Sequence, residues 1–132
     1  MREIKFRAWV GTRKLMFQVR EMIIPDGLNE SGFQEIAATD NYSIVRPMHY
    51  IQPILMQYTG LKDCNGVEIY EGDIVKNGYE TRLVKWRDYG FKLIPVKDAI
   101  GVVSFMGGRK RECKKSNVEV IGNIYENPEL LK

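Results

Sequence analysis

The chain has 132 residues, of which 44% are hydrophobic and 28% charged, a balance that is typical of one globular domain and excludes wholesale disorder. Its apolar runs are too short to cross a membrane, its first residues lack the apolar stretch of a signal peptide, and its two cysteines are too few for a disulfide framework. We therefore expect a cytoplasmic protein with reduced thiols.

Basic and acidic residues are segregated along the chain, although the net charge is only +3. Residues 1–20 carry six basic residues and one acidic residue, and residues 81–115 carry ten basic and three acidic residues. Residues 21–80 carry three basic and ten acidic residues, and residues 116–132 carry one basic and three acidic residues. The basic 81–115 segment could attract a phosphate backbone, or it could pair with the acidic middle of its own or a neighbouring chain. Charge alone leaves both interpretations open.

The first predicted element is a β-hairpin over residues 3–24. Two runs of alternating apolar residues flank a turn at residues 11–14, which is the pattern of two half-buried strands. The alternating residues are Ile4, Phe6, Ala8, Val10, Leu15, Phe17 and Val19. Residues 26–46 are polar and mixed, and they predict a connecting excursion rather than a regular element.

The rest of the chain predicts short strands joined by tight turns. Turn chemistry is present at the pair Asn65-Gly66 and at Glu71-Gly72-Asp73. The predicted strands cover residues 54–58, 81–86, 91–96, 100–105 and 118–124, and a short helical turn covers residues 128–131. Closely spaced short strands are typical of a mainly β protein, and we expect these strands to form a small barrel.

No arrangement of nucleophile, general base or metal ligands stands out in the sequence. His49 is the single histidine, and Cys64 and Cys113 lack the spacing of a zinc site. Four acidic residues lie close together in the sequence: Glu68, Glu71, Asp73 and Glu80. Paired carboxylates can hold Mg²⁺ in a nuclease, but these four fall around a turn rather than on one strand face. We therefore predict no catalytic residue, no metal site and no cofactor.

The candidate binding residues lie in the basic 81–115 segment. Trp86 stands between Lys85 and Arg87, and the stretch 107–115 holds five cations in nine residues. Cations can contact phosphates, and aromatic side chains can stack on bases. The candidate nucleic-acid-binding residues are Lys85, Arg87, Arg109, Lys110, Arg111, Lys114 and Lys115.

A less specific interpretation is that the basic stretch is only a solvated surface and that Trp86 belongs to the core. We expect Trp86 to be a core residue, because Leu83, Val84 and Trp86 cannot all face away from the barrel.

Three motifs in order carry a resemblance to a known family. They are MREIKFRAW at residues 1–9, MQYTGLKDCNGVEIYEGDIV at residues 56–75 and VIGNIYENPELL at residues 120–131. Together they resemble the YopX family of phage and prophage proteins. The resemblance implies a mainly β fold with an N-terminal β-hairpin, a small C-terminal barrel that is SH3-like in character, and little helix. We expect a single domain over residues 1–132, composed of an N-terminal hairpin and excursion (1–50) and a barrel part (51–132).

The resemblance implies a phage or prophage protein in the cytoplasm of the bacterial host, and it brings no catalytic residue. We expect a non-enzymatic accessory protein that acts as a homo-oligomeric binding or assembly module, with no membrane contact and no small-molecule substrate. The alternative is a nucleic-acid-binding protein that uses the basic 81–115 segment. A metal nuclease is the third reading.

Overall fold

The computed structural model describes residues 3–23, 37–39, 44–45, 53–96, 104–105 and 118–132, with side chains for residues 3–20, 53–96 and 118–132. Within them, short strands follow one another and a single 3-10 turn closes the chain. In chain order they are β1 Phe6–Val10, β2 Leu15–Val19, β3 Glu21–Ile23, β4 Ala37–Thr39, β5 Ile44–Val45, β6 Ile54–Lys62, β7 Glu68–Tyr70, β8 Asp73–Asn77, β9 Glu80–Arg87, β10 Gly90–Pro95, β11 Ser104–Phe105, β12 Val118–Asn123 and the 3-10 helix Pro128–Leu131. The predicted mainly β fold, with an N-terminal hairpin, a barrel-like C-terminal sheet and little helix, is confirmed.

The chain divides into two compact units. The N-terminal unit is Lys5–Gln57, and the C-terminal unit is Tyr58–Lys132 together with Met1–Ile4. A compact unit is not by itself a domain, so the single domain over residues 1–132, with parts 1–50 and 51–132, stays a prediction.

In the N-terminal unit, the β1–β2 hairpin has the register that its alternating pattern predicts. Ala8 lies opposite both Phe17 of β2 and Leu55 of β6. Ala8, Val10 and Phe17 are buried together, and Val19 and Leu55 pack against them. Strands β3, β4 and β5 form a separate antiparallel sheet that the sequence did not predict. They are only two or three residues long, too short to show a period.

In the C-terminal unit, antiparallel strands form a curled half-barrel in the order β11-β10-β9-β8-β12. Because side chains alternate across a strand, one face of this sheet collects the apolar residues of several strands. Val75, Val84, Phe91 and Leu93 are buried there, and Ile69 of β7 joins them. The β9–β10 hairpin contributes Val84, Phe91 and Leu93 to this core.

Asp63 ties the β6–β7 turn to strand β12. Its Oδ1 accepts hydrogen bonds from the backbone N–H groups of Asn65 (2.8 Å) and Val67 (2.9 Å), and its Oδ2 accepts one from Val120 (3.0 Å). Gly66 takes the positive φ of 81° that the turn requires. Burial tends to raise the pKa of Asp63, but the backbone N–H donors outweigh burial and hold the pKa below its ordinary value.

Asp73 makes a second junction, between the turn that precedes β8 and the end of the chain. Its carboxylate accepts the Tyr70 N–H (2.8 Å) and the Asn123 side-chain amide (3.2 Å). Gly72, at φ 83°, accepts the N–H of Ile124 on its carbonyl (3.0 Å). The two longer motifs of the sequence therefore meet in space, and their polar residues hold the fold together.

Candidate nucleic-acid interface

Strands β9 and β10 form a hairpin closed by a two-residue turn. Arg87 pairs with Gly90, and the turn residues Asp88 and Tyr89 have φ values of 47° and 67°. Positive φ at both central residues is the arrangement of a type I′ turn, whose twist matches that of the flanking strands. Residues 85–89 are all exposed, and we call them the β9–β10 tip.

Trp86 lies on the tip, where 48% of its surface is exposed. Its ring meets the ring of Phe91 edge to face, with centroids 4.8 Å apart and planes at 78°. Its backbone N–H donates to Oε1 of Glu71 at 3.2 Å. The prediction that Trp86 is a core residue is therefore wrong. Trp86 shares a strand face with buried Val84, but β9 continues past the covered part of that face, so Trp86 is packed on one side only.

Tyr89 occupies the second turn position with 99% of its surface exposed. Type I′ turns favour glycine at this position, because a side chain at positive φ crowds the backbone. A fully exposed aromatic residue thus occupies a strained position with no burial to compensate for it.

The structure describes four cations of the basic 81–115 segment with their side chains, and it divides them into two pairs. Lys85 and Arg87 are exposed on the tip, as candidate binding residues must be. Arg82 is buried and forms an ion pair with Glu80, and Lys92 is buried and bonds to Asp88.

The acidic partners of the buried cations are held in place by the same contacts. The hydrogen bond and the charge of Lys92 keep the pKa of Asp88 below its ordinary value, and Arg87 contributes less. Neither pair was predicted from the sequence. A signal was present, since Glu80 and Arg82 are two residues apart on one strand and therefore share a face.

Five candidate binding residues are not among the described residues. Arg109, Lys110, Arg111, Lys114 and Lys115 lie outside the described residues, as do His49 and Cys113.

The four acidic residues considered for a metal site each bind a protein group. Glu68 accepts a hydrogen bond from the Tyr70 hydroxyl (2.8 Å), and Glu71 accepts one from the Trp86 backbone N–H. Asp73 accepts one from the Tyr70 backbone N–H, and Glu80 forms an ion pair with Arg82. In the part of the chain that the structure describes, no three histidine, cysteine or acidic side chains are grouped as a metal site would require. Nor does any helix in that part have the length and apolar character needed to cross a bilayer.

Comparison with known proteins places this chain among relatives over its full length. The crystal structure of protein EF1440 from Enterococcus faecalis is similar to it, with 27% sequence identity, a TM-score of 0.63 and coverage of 100% of both chains. No curated protein matches the sequence. The family profile described as YopX protein matches residues 5–132. The chain belongs to the YopX family.

Proposed function

We propose that this YopX protein is a non-enzymatic nucleic-acid-binding module, encoded by a phage or prophage and acting in the cytoplasm of the bacterial host. The observation that carries the proposal is the exposed β9–β10 tip, where Trp86 lies on one face of β9, Lys85 and Arg87 lie on the other face, and Tyr89 lies in the turn. The predicted phage origin and location rest on the family and on the composition of the chain.

The tip combines the two interactions that sequence-tolerant nucleic-acid binding needs. Cations that contact phosphates release condensed counterions, which favours binding at low salt. Aromatic rings offer a surface on which bases stack. Lys92 contributes little charge to the tip because it is bound to Asp88, so Lys85 and Arg87 carry the phosphate contacts that we propose.

Fluorescence anisotropy with labelled DNA and RNA at low ionic strength tests this proposal. The double variant Lys85→Ser with Arg87→Ser should bind several-fold more weakly than the wild type. The matched control is Lys62→Ser with Lys132→Ser, which removes the same charge from two exposed lysines outside the tip. Equal losses in both double variants would mean that net charge, not the tip, attracts the ligand. Absence of binding by the wild type would contradict the proposed function.

Self-association is a second proposed function, favoured by a separate observation. Leu15, at the turn end of the β1–β2 hairpin, is 41% exposed, and Ile54 of β6, on the other face of the same sheet, is 42% exposed. Exposed apolar residues of this kind, together with segregated charge along the chain, are suited to contact between copies.

Light scattering at two salt concentrations tests self-association. We expect a mass of two or more chains, and we expect Leu15→Glu to lower it. The control is Val67→Glu, a change at a similarly exposed apolar residue of the β6–β7 turn, which should leave the mass unchanged. A monomer mass for the wild type at high protein concentration would rule this function out.

A further inference from the structure

We infer that the ligand of the β9–β10 tip is a single-stranded nucleic acid whose bases stack on Trp86 and Tyr89. This inference rests on the proposed nucleic-acid function and narrows it to one class of ligand. It is drawn from the geometry of Trp86, the conformation of Tyr89 and the contrast with a second hairpin.

Trp86 is held in position and yet remains accessible. The edge-to-face contact with Phe91 supports one side of the indole, and the hydrogen bond from the backbone N–H of Trp86 to Glu71 fixes the backbone. About half of the side chain remains open to solvent. A duplex hides the faces of its bases within the stack, so an exposed indole gains stacking energy only from unpaired bases.

Tyr89 is the second aromatic residue of the tip, and its backbone is strained. Its φ of 67° would be adopted without cost by glycine, and its ring is fully exposed. Strain that packing does not explain is found where a side chain serves binding. A stacking role accounts for an aromatic residue at this turn position.

The β8–β9 hairpin provides the contrast, because it also carries an exposed tyrosine. There Gly78 takes the positive φ of 64°, and Tyr79 is followed by Glu80, which pairs with Arg82. The two turns lie at opposite ends of β9, roughly 26 Å apart at 3.3 Å per residue. Tyr79 is therefore an equally exposed tyrosine that follows the positive-φ glycine and lies beside an ion pair, and it is a matched control for Tyr89.

The test measures the affinity of the full chain for labelled oligothymidylate and oligouridylate of about 16 nucleotides and for a duplex of the same length. The variants are Trp86→Ala, Trp86→Phe, Tyr89→Ala and Tyr79→Ala. The fluorescence of Trp86 gives a second readout, since stacking on a base quenches an indole. Trp9, the other tryptophan, is buried and supplies the unquenched background.

We expect both single strands to bind more tightly than the duplex and to quench Trp86. Trp86→Ala should lose about 5- to 150-fold in single-strand affinity, whereas Trp86→Phe should keep most of it. Tyr89→Ala, at a fully exposed site, should fold normally and bind more weakly, and Tyr79→Ala should bind as the wild type does. A difference between the two oligomers would identify DNA or RNA as the preferred ligand.

Two further results separate the inference from the proposed function. If the duplex binds as tightly as the single strands, neither Tyr89→Ala nor Trp86→Ala changes the affinity, and no strand quenches Trp86 in the wild type, the stacking inference is wrong while the proposed function stands. If no nucleic acid binds at low salt, the proposed function and the inference are both wrong.

Discussion

At the scale of single residues, two buried acids of the described part of the chain, Asp63 and Asp73, lie where chain segments join. Asp63 and Asp73 each accept hydrogen bonds from segments far apart in the sequence. Asp63 is buried and accepts three backbone N–H groups, which favour its ionised form. Through these hydrogen bonds both acids hold turns of the C-terminal unit together.

Replacing Asp63 with asparagine tests this structural role and its pH dependence. Asp63→Asn should lower the free energy of unfolding at pH 7 by about 1–3 kcal/mol, because an amide presents only one acceptor oxygen to three N–H donors. The folded-state pKa of Asp63 is depressed, so its contribution is present above the unfolded pKa of about 3.9 and is lost as the pH falls through the folded pKa. The gap between variant and wild type should narrow below about pH 4.

Urea unfolding at a series of pH values measures that gap. The control is Glu126→Gln, at an exposed acid, which should change stability by less than about 0.5 kcal/mol. If Asp63→Asn and the wild type lose stability in parallel on acidification, the ionised Asp63 does not make this contribution to the free energy of unfolding.

Gly122 has no room for a side chain, because Asn127 and Leu130 lie close to its Cα. A Cβ at this position would lie 2.7 Å from both Oδ1 of Asn127 and Cδ1 of Leu130. Gly122→Ala should therefore displace the terminal turn and lower stability by about 1–3 kcal/mol in thermal unfolding. Gly90→Ala is the control, since a Cβ there meets nothing within 4 Å and its stability should be unchanged or slightly higher. Similar stability for the two alanine variants would contradict this account of Gly122.

At the scale of elements, the β9–β10 hairpin combines a well-formed ladder with an unfavourable turn. Register from Gly90 to Pro95 is regular, yet both turn residues have positive φ and neither is glycine. Hairpins of this kind favour Asn-Gly or Asp-Gly at the turn. The β9–β10 hairpin is therefore less stable than it would be with glycine at this turn position, which is occupied by the exposed Tyr89.

Tyr89→Gly should have opposite effects on stability and on nucleic-acid binding. Relief of the strain should raise the free energy of unfolding by about 1 kcal/mol, while nucleic-acid affinity falls because the ring is lost. Tyr79→Gly is the control: its φ is not positive, so glycine should lower stability by about 0.5–1 kcal/mol and leave affinity unchanged. Chemical unfolding and anisotropy on the same preparations measure both effects. A destabilised Tyr89→Gly would show that the turn is not strained.

Some features of the fold could be predicted from the sequence more closely than others. Strands β9, β10 and β12 match the predicted segments to within a residue or two, because alternation and turn residues are local signals. Strand β6 runs four residues further than predicted, since Gly60 at φ 86° lets it continue opposite β7 with a shift in register. The exposure of Trp86 could not be predicted, because it depends on where tertiary cover ends along β9.

At the scale of the whole molecule, the family motifs account for parts of the fold, and the exposed tip carries the function that we propose. The polar residues of the motifs are occupied by hydrogen bonds that close turns. The tip lies outside the motifs, and its two cations, Lys85 and Arg87, are exposed. We therefore expect that variants of the tip leave folding intact and change binding, whereas variants of the motif residues do the reverse.

The salt dependence of binding is the most direct test of the proposed nucleic-acid function. For a single strand, each phosphate contact contributes about −0.7 to the slope of log K against log salt. The wild type should show a clear negative slope, and the Lys85→Ser, Arg87→Ser double variant should show a slope shallower by about 1.4, for two lost contacts. Equal slopes for the two proteins, or no binding by the wild type at low salt, would contradict the account.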